Sequence, residues 1–166
     1  MASSFLLVIS DREALGWILT EGRTAFPSAR RLEVAALAKG DELFLYTTRS
    51  CFKNPTRDRG RVIGIADVVS PVVRLDEPVR FAGRDFPVGC ALQIGPLAPF
   101  GHGVELAPLL TSLAAFDHTE RAWSMKLRRP MLRLPDGDTQ LIRDRLATVA
   151  TGLEGERYVR WYLPVA

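Results

Sequence analysis

Two apolar stretches separated by a basic loop constrain the fold of this chain more than any other feature. The first covers residues 42–48 and follows the turn signal Gly40-Asp41, and the second covers residues 60–70 and ends at Ser70-Pro71. Both are rich in aromatic or β-branched side chains, as strands are. Since neither stretch alternates regularly between polar and apolar residues, we predict a strand pair that is buried on much of both faces.

Shorter elements flank this pair. We predict a first strand at residues 4–9, followed by a helix that a Ser10–Glu13 capping box begins and Gly22 ends. Further strands are expected at 79–81, 86–93 and 157–163, and helices at 105–115 and from the N-cap Asp136 to about 150. Segments 23–31 and 95–103 are predicted to be irregular. Strands and helices do not alternate as in a doubly wound sheet, so the order favours an α+β fold built on a small barrel or strongly curved sheet.

Composition indicates one globular domain covering residues 1–166. The chain is 47% apolar and carries a net charge of +3, which permits a polyanionic partner without requiring one. No apolar run reaches the roughly 18 residues that span a bilayer, and the N-terminus lacks the basic region of a signal peptide. We therefore expect no membrane partner. Two cysteines without paired spacing indicate reduced thiols in a cytoplasmic protein.

The loop between the two central strands is a candidate ligand site because loops on rigid scaffolds often carry function. It is strongly basic, with Asp58 as its one acid, and a second basic pair precedes Pro130. Cations of this kind contact nucleic-acid phosphates and supply affinity without sequence information. The alternative is an ordinary solvated surface. The candidate phosphate-binding residues are Arg49, Lys53, Arg57, Arg59, Arg128 and Arg129.

Several segments, taken together, resemble the EVE-domain family. They are residues 40–46 and 62–68, the stretch 121–125 with its Trp123-Ser124-Met125 motif, and residues 131–135 with Asp138. The resemblance covers about residues 4–150 and leaves 153–166 as a C-terminal extension. It implies a PUA-like mixed β-barrel flanked by helices, related to the YTH readers of methylated adenine. It also implies a non-catalytic module that holds a modified or flipped base of RNA or DNA in an aromatic pocket.

The resemblance places the base pocket near Phe26, which occupies the position of an aromatic residue, often Trp, after the family's first helix. Aromatic walls would stack on the base, and hydroxyl groups would bind its edge. The hairpin with Phe81 and Phe86 is expected to form a second wall. Each aromatic residue could instead belong to the core, which is the interpretation that we prefer for Trp17. The candidate pocket residues are Phe26, Ser28, Tyr46, Thr47, Thr48, Phe86 and Trp123.

Two other functions remain open from the sequence. The first is a small-molecule binding protein on the same fold, with a nucleoside-like or nucleotide-like ligand. The second is an enzyme that uses Cys51 as a nucleophile, with His118 as its base. Clustered metal ligands, a Walker loop and a dinucleotide fingerprint are all missing from the sequence, so we expect no metal and no cofactor.

Overall fold

The computed structural model describes residues 2–54, 58–116, 123–152 and 155–162. Its strands are β1 Ser4–Ile9, β2 Arg23–Phe26, β3 Glu42–Thr47, β4 Arg61–Val68, β5 Val73–Phe81, β6 Arg84–Leu97, β7 Val104–Glu105 and β8 Met131–Arg133. Its helices are α1 Arg12–Glu21, α2 Leu32–Ala36, α3 Trp123–Lys126, α4 Asp136–Ala147 and α5 Gly155–Arg160. Two 3₁₀ segments, Ala107–Ser112 and Ala114–Phe116, precede α3.

The strands form one mixed sheet in the order β2-β6-β4-β3-β1-β8, with β5 paired to β6 and β7 paired to β4. Strands β1 and β3 are parallel, whereas the other pairs are antiparallel. Irregularities interrupt the register of the β3–β4, β4–β6 and β5–β6 pairs, and such interruptions bend a sheet. The predicted α+β fold with a curved sheet is confirmed.

The two central strands separate two hydrophobic cores, as their continuous apolar sequence predicts. In β3, Leu43 and Leu45 face the first core, whereas Phe44 and Tyr46 face the second. This alternation follows from the two-residue period of a strand. The first core contains the apolar face of α1 and the buried Tyr158 of α5. The second contains Ile142 of α4, together with apolar residues of the 3₁₀ segments.

Helix α1 forms where the sequence predicts it, but its N-cap is Asp11 and not Ser10. The Asp11 Oδ1 atom accepts hydrogen bonds from the backbone amides of Glu13 at 2.8 Å and Ala14 at 3.1 Å. A carboxylate is favoured here because it satisfies free amides at the positive end of the helix. Gly22 ends the helix with φ of 64°, as expected.

Several other predictions about local structure were wrong. The segment 23–31 contains strand β2, and β6 extends through Leu97 into a stretch that was predicted to be irregular. The expected strand at 157–163 is replaced, in the described part of the tail, by helix α5. The expected helix at 105–115 forms two shorter 3₁₀ segments instead. Among the described residues, no helix has the length and apolar character needed to cross a membrane.

The carboxylates at the start of α4 also have a different role from the predicted one. Pro135 occupies the N-cap position, and Asp136 is the first residue of the helix. Asp138 is buried and accepts hydrogen bonds from the backbone amides of Ala114 and Ala115, each at 2.8 Å. Asp138 therefore ties α4 to the second 3₁₀ segment.

Candidate functional site

A cavity of about 480 Å³ opens beside the first core. Its walls come from the end of β1, the first two turns of α1, strand β2, the tip of the β5–β6 hairpin and the segment before β8. These elements are far apart in the sequence and meet because β2 pairs with β6, while β1 lies beside β8. The volume lies within the roughly 300–1,000 Å³ that is typical of ligand pockets.

Aromatic side chains form much of the cavity lining. The ring centroids of Trp17 and Phe81 are 5.7 Å apart, and Phe81 and Phe86 are also 5.7 Å apart in an edge-to-face arrangement. All three side chains are partly exposed, whereas Phe26 is fully buried. This geometry leaves aromatic surface available to a planar ligand, and offset or edge contacts are those that aromatic rings favour.

The cavity lining also contains polar groups. Asp11, Thr48 and Ser50 contribute to it, and the hydroxyl groups of Thr48 and Ser50 are 3.3 Å apart. The Asp11 carboxylate is held by its two N-cap hydrogen bonds, both of which use Oδ1. Its other oxygen accepts no hydrogen bond from the described residues. It can therefore accept one from an N–H group of a ligand.

The charged residues of the cavity lining are mostly basic. Four arginines, Arg31, Arg84, Arg128 and Arg129, share the lining with one carboxylate, that of Asp11. Arg129 also contacts Glu33 of α2 across 3.5 Å, and its side chain remains 52% exposed. Since arginine stays protonated and presents several N–H donors, these side chains can bind phosphate oxygens.

Comparison with known proteins establishes the fold alone. No family model matches the chain, and no curated protein matches its sequence. A Rhodopseudomonas palustris protein solved by NMR is 16% identical with a TM-score of 0.57, covering 90% of this chain and 97% of its own. The Mmi1 YTH domain, solved with RNA, is 13% identical with a TM-score of 0.56, covering 92% and 85%. Human THYN1, solved with DNA containing 5-methylcytosine, is 11% identical with a TM-score of 0.55, covering 87% and 98%.

The chain has the fold of the YTH domain and of THYN1. These similarities agree with the PUA-like architecture that the EVE resemblance implies.

The structure brings together some of the predicted site residues. Phe26, Thr48 and Phe86 line the cavity, and so do Arg128 and Arg129. Ser28 lies just beyond β2, outside the lining, where its hydroxyl accepts a hydrogen bond from the Arg30 backbone amide at 3.1 Å. The cavity therefore brings Phe26 and the hairpin residue Phe86 together with one of the two predicted basic groups, the pair Arg128 and Arg129.

Three predicted pocket residues lie elsewhere. Tyr46 is 2% exposed and faces the second core, where burial raises the pKa of its hydroxyl to about 12. Trp123 packs edge-on against Phe116 in the same core, with ring centroids 6.0 Å apart. Thr47 is buried, and its hydroxyl donates a hydrogen bond to the Arg61 carbonyl at 3.4 Å. Strand alternation thus places Tyr46 in the second core, Trp123 packs in that core from α3, and Thr47 is held by its burial and its hydrogen bond.

The basic loop is partly neutralised by carboxylates of the same chain. Arg61 contacts Asp58 at 2.9 Å and Glu105 at 3.7 Å, and Arg59 contacts Glu105 at 3.8 Å. Arg49 and Lys53 are exposed but do not line the cavity. The predicted Arg57 lies outside the described residues, as does His118. The basic group that borders the cavity is therefore the arginine set of the lining, not this loop.

Sequence reasoning missed Trp17, Asp11, Arg31 and Arg84. Trp17 lies beside the buried face of α1, which consists of Leu15, Ile18 and Leu19, and this offset was the available signal. Asp11 lies between Ser10 and Glu13, the two residues of the predicted capping box, and was therefore not identified. The role of Arg84 depends on the hairpin tip folding over the cavity, which no local pattern encodes.

The structure does not favour Cys51 as a nucleophile. The side chain is 1% exposed, and burial raises the pKa of its thiol to about 12. Asp11 and Asp58 raise this pKa further through their negative charge. A catalytic cysteine requires the thiolate, so this environment opposes the reactive form.

Proposed function

We propose that this protein is a non-catalytic nucleic-acid-binding module that holds one modified or flipped base of RNA or DNA in the cavity. The observation that carries the proposal is an aromatic-lined cavity of about 480 Å³ with four arginines in its lining. The solved neighbours with bound RNA or 5-methylcytosine DNA support the nucleic-acid class. We further propose that the chain is a divergent member of the EVE-domain family, acting as one cytoplasmic domain.

Stacking supplies one part of the binding energy in this proposal. A base stacks on the exposed ring surface that Trp17, Phe81 and Phe86 present to the cavity, and each stacked base contributes about 1–3 kcal/mol. The free oxygen of Asp11 accepts a hydrogen bond from an N–H group of the base. A base without a donor at that place leaves the carboxylate unpaired, and this loss provides discrimination.

Phosphate contacts supply the other part. Arg128 and Arg129 are exposed and adjoin the cavity, so they can bind the phosphates that flank an inserted base. Extrusion of a base from a duplex costs a few kcal/mol, which favours single strands or weakened pairs as ligands.

An amide-resolved NMR titration tests the proposal. Short single-stranded oligonucleotides, each with one modified base, are compared with unmodified controls of the same sequence. We expect one modification to shift the resonances of Trp17, Phe81 and Phe86, while its control does not. The absence of shifts at these positions for every modified base would contradict the proposal.

The phosphate contacts have their own test. We expect the double variant Arg128→Gln, Arg129→Gln to reduce the slope of log affinity against log salt by about 1–2. Arg145→Gln is the matched control, since Arg145 is exposed on α4, which covers the second core. The control removes one positive charge and the double variant removes two, so an equal reduction per charge removed would show that binding depends on net charge alone.

A small phosphorylated ligand is the second candidate. Carboxylates offset the charges of Arg59 and Arg61, so much of the positive charge that is available to a ligand lies at the cavity. This charge is sufficient to bind the phosphate of a single nucleotide. If a free nucleoside monophosphate binds as tightly as an oligonucleotide with the same base, this alternative replaces the nucleic-acid proposal.

A further inference from the structure

Two of the three partly exposed aromatic side chains of the cavity lining already contact a cation. The guanidinium carbon of Arg23 lies 5.2 Å from the ring centroid of Trp17. The corresponding distance from Arg84 to the ring of Phe86 is 6.0 Å. Both distances are within the range of cation–π contacts, in which the negative face of a ring attracts a positive charge. The chain therefore supplies these rings with cations of its own.

The other charged groups at the cavity do not cancel the positive charge of Arg23 and Arg84. The lining contains four arginines and one carboxylate, and Glu33 approaches Arg129 from α2. The Asp11 carboxylate accepts two backbone amides at the positive end of α1, which reduces the attraction it exerts on a ligand cation. The cavity lining therefore keeps an excess of positive charge.

We infer that the cavity selects an uncharged base and rejects a base with a fixed positive charge, and that Arg23 and Arg84 determine this specificity. The inference rests on the proposed function, because it defines the class of base that the cavity accepts. Aromatic cages that recognise cations leave their rings free for the ligand. Here the rings of Trp17 and Phe86 each already contact a guanidinium group, and that group would repel a cationic base stacked on the same ring.

The expected discrimination is substantial. Like charges separated by about 8 Å at an effective dielectric constant of about 20 repel strongly enough to change an equilibrium constant by more than tenfold. Salt screens part of this repulsion at the open side of the cavity. We therefore expect at least about tenfold weaker binding of the cationic base, with a smaller ratio at high salt.

Isomeric methylated bases provide a direct test. Methylation of cytosine at C5 leaves the base neutral, whereas methylation at N3 gives a base that is a cation at neutral pH and has the same number of non-hydrogen atoms. Adenine methylated at N6 or at N1 forms a second such pair. Each base is placed in the same single-stranded oligonucleotide, and the ratio of the two dissociation constants is measured for each pair by fluorescence anisotropy.

Charge variants separate the effect of charge from that of shape. We expect Arg84→Gln and Arg23→Gln each to reduce the ratio severalfold. Each substitution removes a positive charge near the rings, whereas the difference in shape between the two isomers stays the same. Arg84→Lys, which keeps the charge, should retain most of the ratio. Thermal unfolding of each variant confirms that the fold is intact.

The outcomes distinguish this inference from the function on which it rests. A neutral base that binds in the cavity, together with a cationic isomer that binds equally or more tightly, overturns the inference and leaves the proposed function standing. A ratio that Arg84→Gln and Arg23→Gln do not change also overturns it, since shape alone would then explain the preference. If no isomer shifts the cavity resonances, the proposed function fails and the inference fails with it.

Discussion

Two groups of aromatic side chains differ in what they contact. In the cavity group, Trp17, Phe81 and Phe86 contact one another but remain open to solvent on one side. In the rear group, the rings of Phe52, Phe100, Tyr158 and Tyr162 contact one another at centroid distances of 4.9–6.1 Å. The same residue types thus line the cavity in one place, and in the other they pack around the buried Tyr158, while Phe52, Phe100 and Tyr162 remain partly exposed.

The rear group also supports the cavity. The Tyr162 hydroxyl donates a hydrogen bond to the carbonyl of Arg12 at 3.1 Å, next to the cavity residue Asp11. Phe52 follows the loop residues Thr48 and Ser50, which line the cavity. The described part of the C-terminal extension therefore holds two cavity walls in place, although its sequence gave no indication of a function.

Truncation of the rear group should have the largest effect on stability. Tyr158 is 1% exposed, and we expect Tyr158→Ala to lower the free energy of unfolding by about 3–5 kcal/mol, because it leaves a cavity among packed rings. Urea unfolding followed by tryptophan fluorescence measures this loss. Tyr158→Phe keeps the ring and should cost far less, so an equally large loss in that variant would contradict the packing explanation.

Truncation of the cavity group should mainly affect binding. We expect Phe86→Ala to weaken the binding of the preferred oligonucleotide by about 1–3 kcal/mol, because one stacking surface is lost. The free energy of unfolding should fall by less than in Tyr158→Ala, since Phe86 is only partly buried. Calorimetric titration and urea unfolding of the same sample give both values. Unchanged affinity would remove Phe86 from the site.

Alkaline pH should weaken the fold through its buried phenol and thiol groups. Burial raises the pKa of all three tyrosines and both cysteines, with Cys90 at about 11 and Cys51 at about 12. A raised pKa in the folded state contributes stability that is complete below the unfolded pKa of the group and is lost as pH rises. The free energy of unfolding should therefore decrease as pH rises above about 8.5, the ordinary pKa of a cysteine thiol in the unfolded chain.

Urea unfolding at pH 8 and at pH 10.5 tests the alkaline prediction. Tyr158→Phe removes one of these titrating groups and should reduce the decrease. A free energy of unfolding that rises over this interval would contradict the prediction.

Removal of an exposed ring should have the smallest effect. Trp161 follows α5 next to the rear group but is 67% exposed. We expect Trp161→Ala to change the free energy of unfolding by no more than about 0.5 kcal/mol and to leave oligonucleotide binding unchanged. A larger loss of stability would extend the rear group to include this side chain.

The sequence predicted the central strands more accurately than it predicted the residues of the candidate site. Continuous apolar runs predicted β3 and β4 because two buried faces leave no room for polar alternation. The resemblance to EVE domains correctly indicated the curved mixed sheet, and it placed Phe26 and Phe86 where the structure has a cavity. The tail prediction failed because alternating residues at 157–163 also fit a short helix whose buried residue, Tyr158, packs into the first core.

The sequence by itself determined the central strand pair, the Gly22 cap that ends α1 and the excess of positive charge, since each depends on neighbouring residues or on composition. Only the tertiary structure decided which aromatic and basic side chains share the cavity. Trp17, Phe81 and Arg128 are distant in sequence and meet through the sheet order and the fold of the hairpin. Strand alternation sends Tyr46 to the opposite core, and ion pairs occupy Arg59 and Arg61. Such long-range pairing is a property of the whole packed chain, because no local pattern records which surfaces will meet.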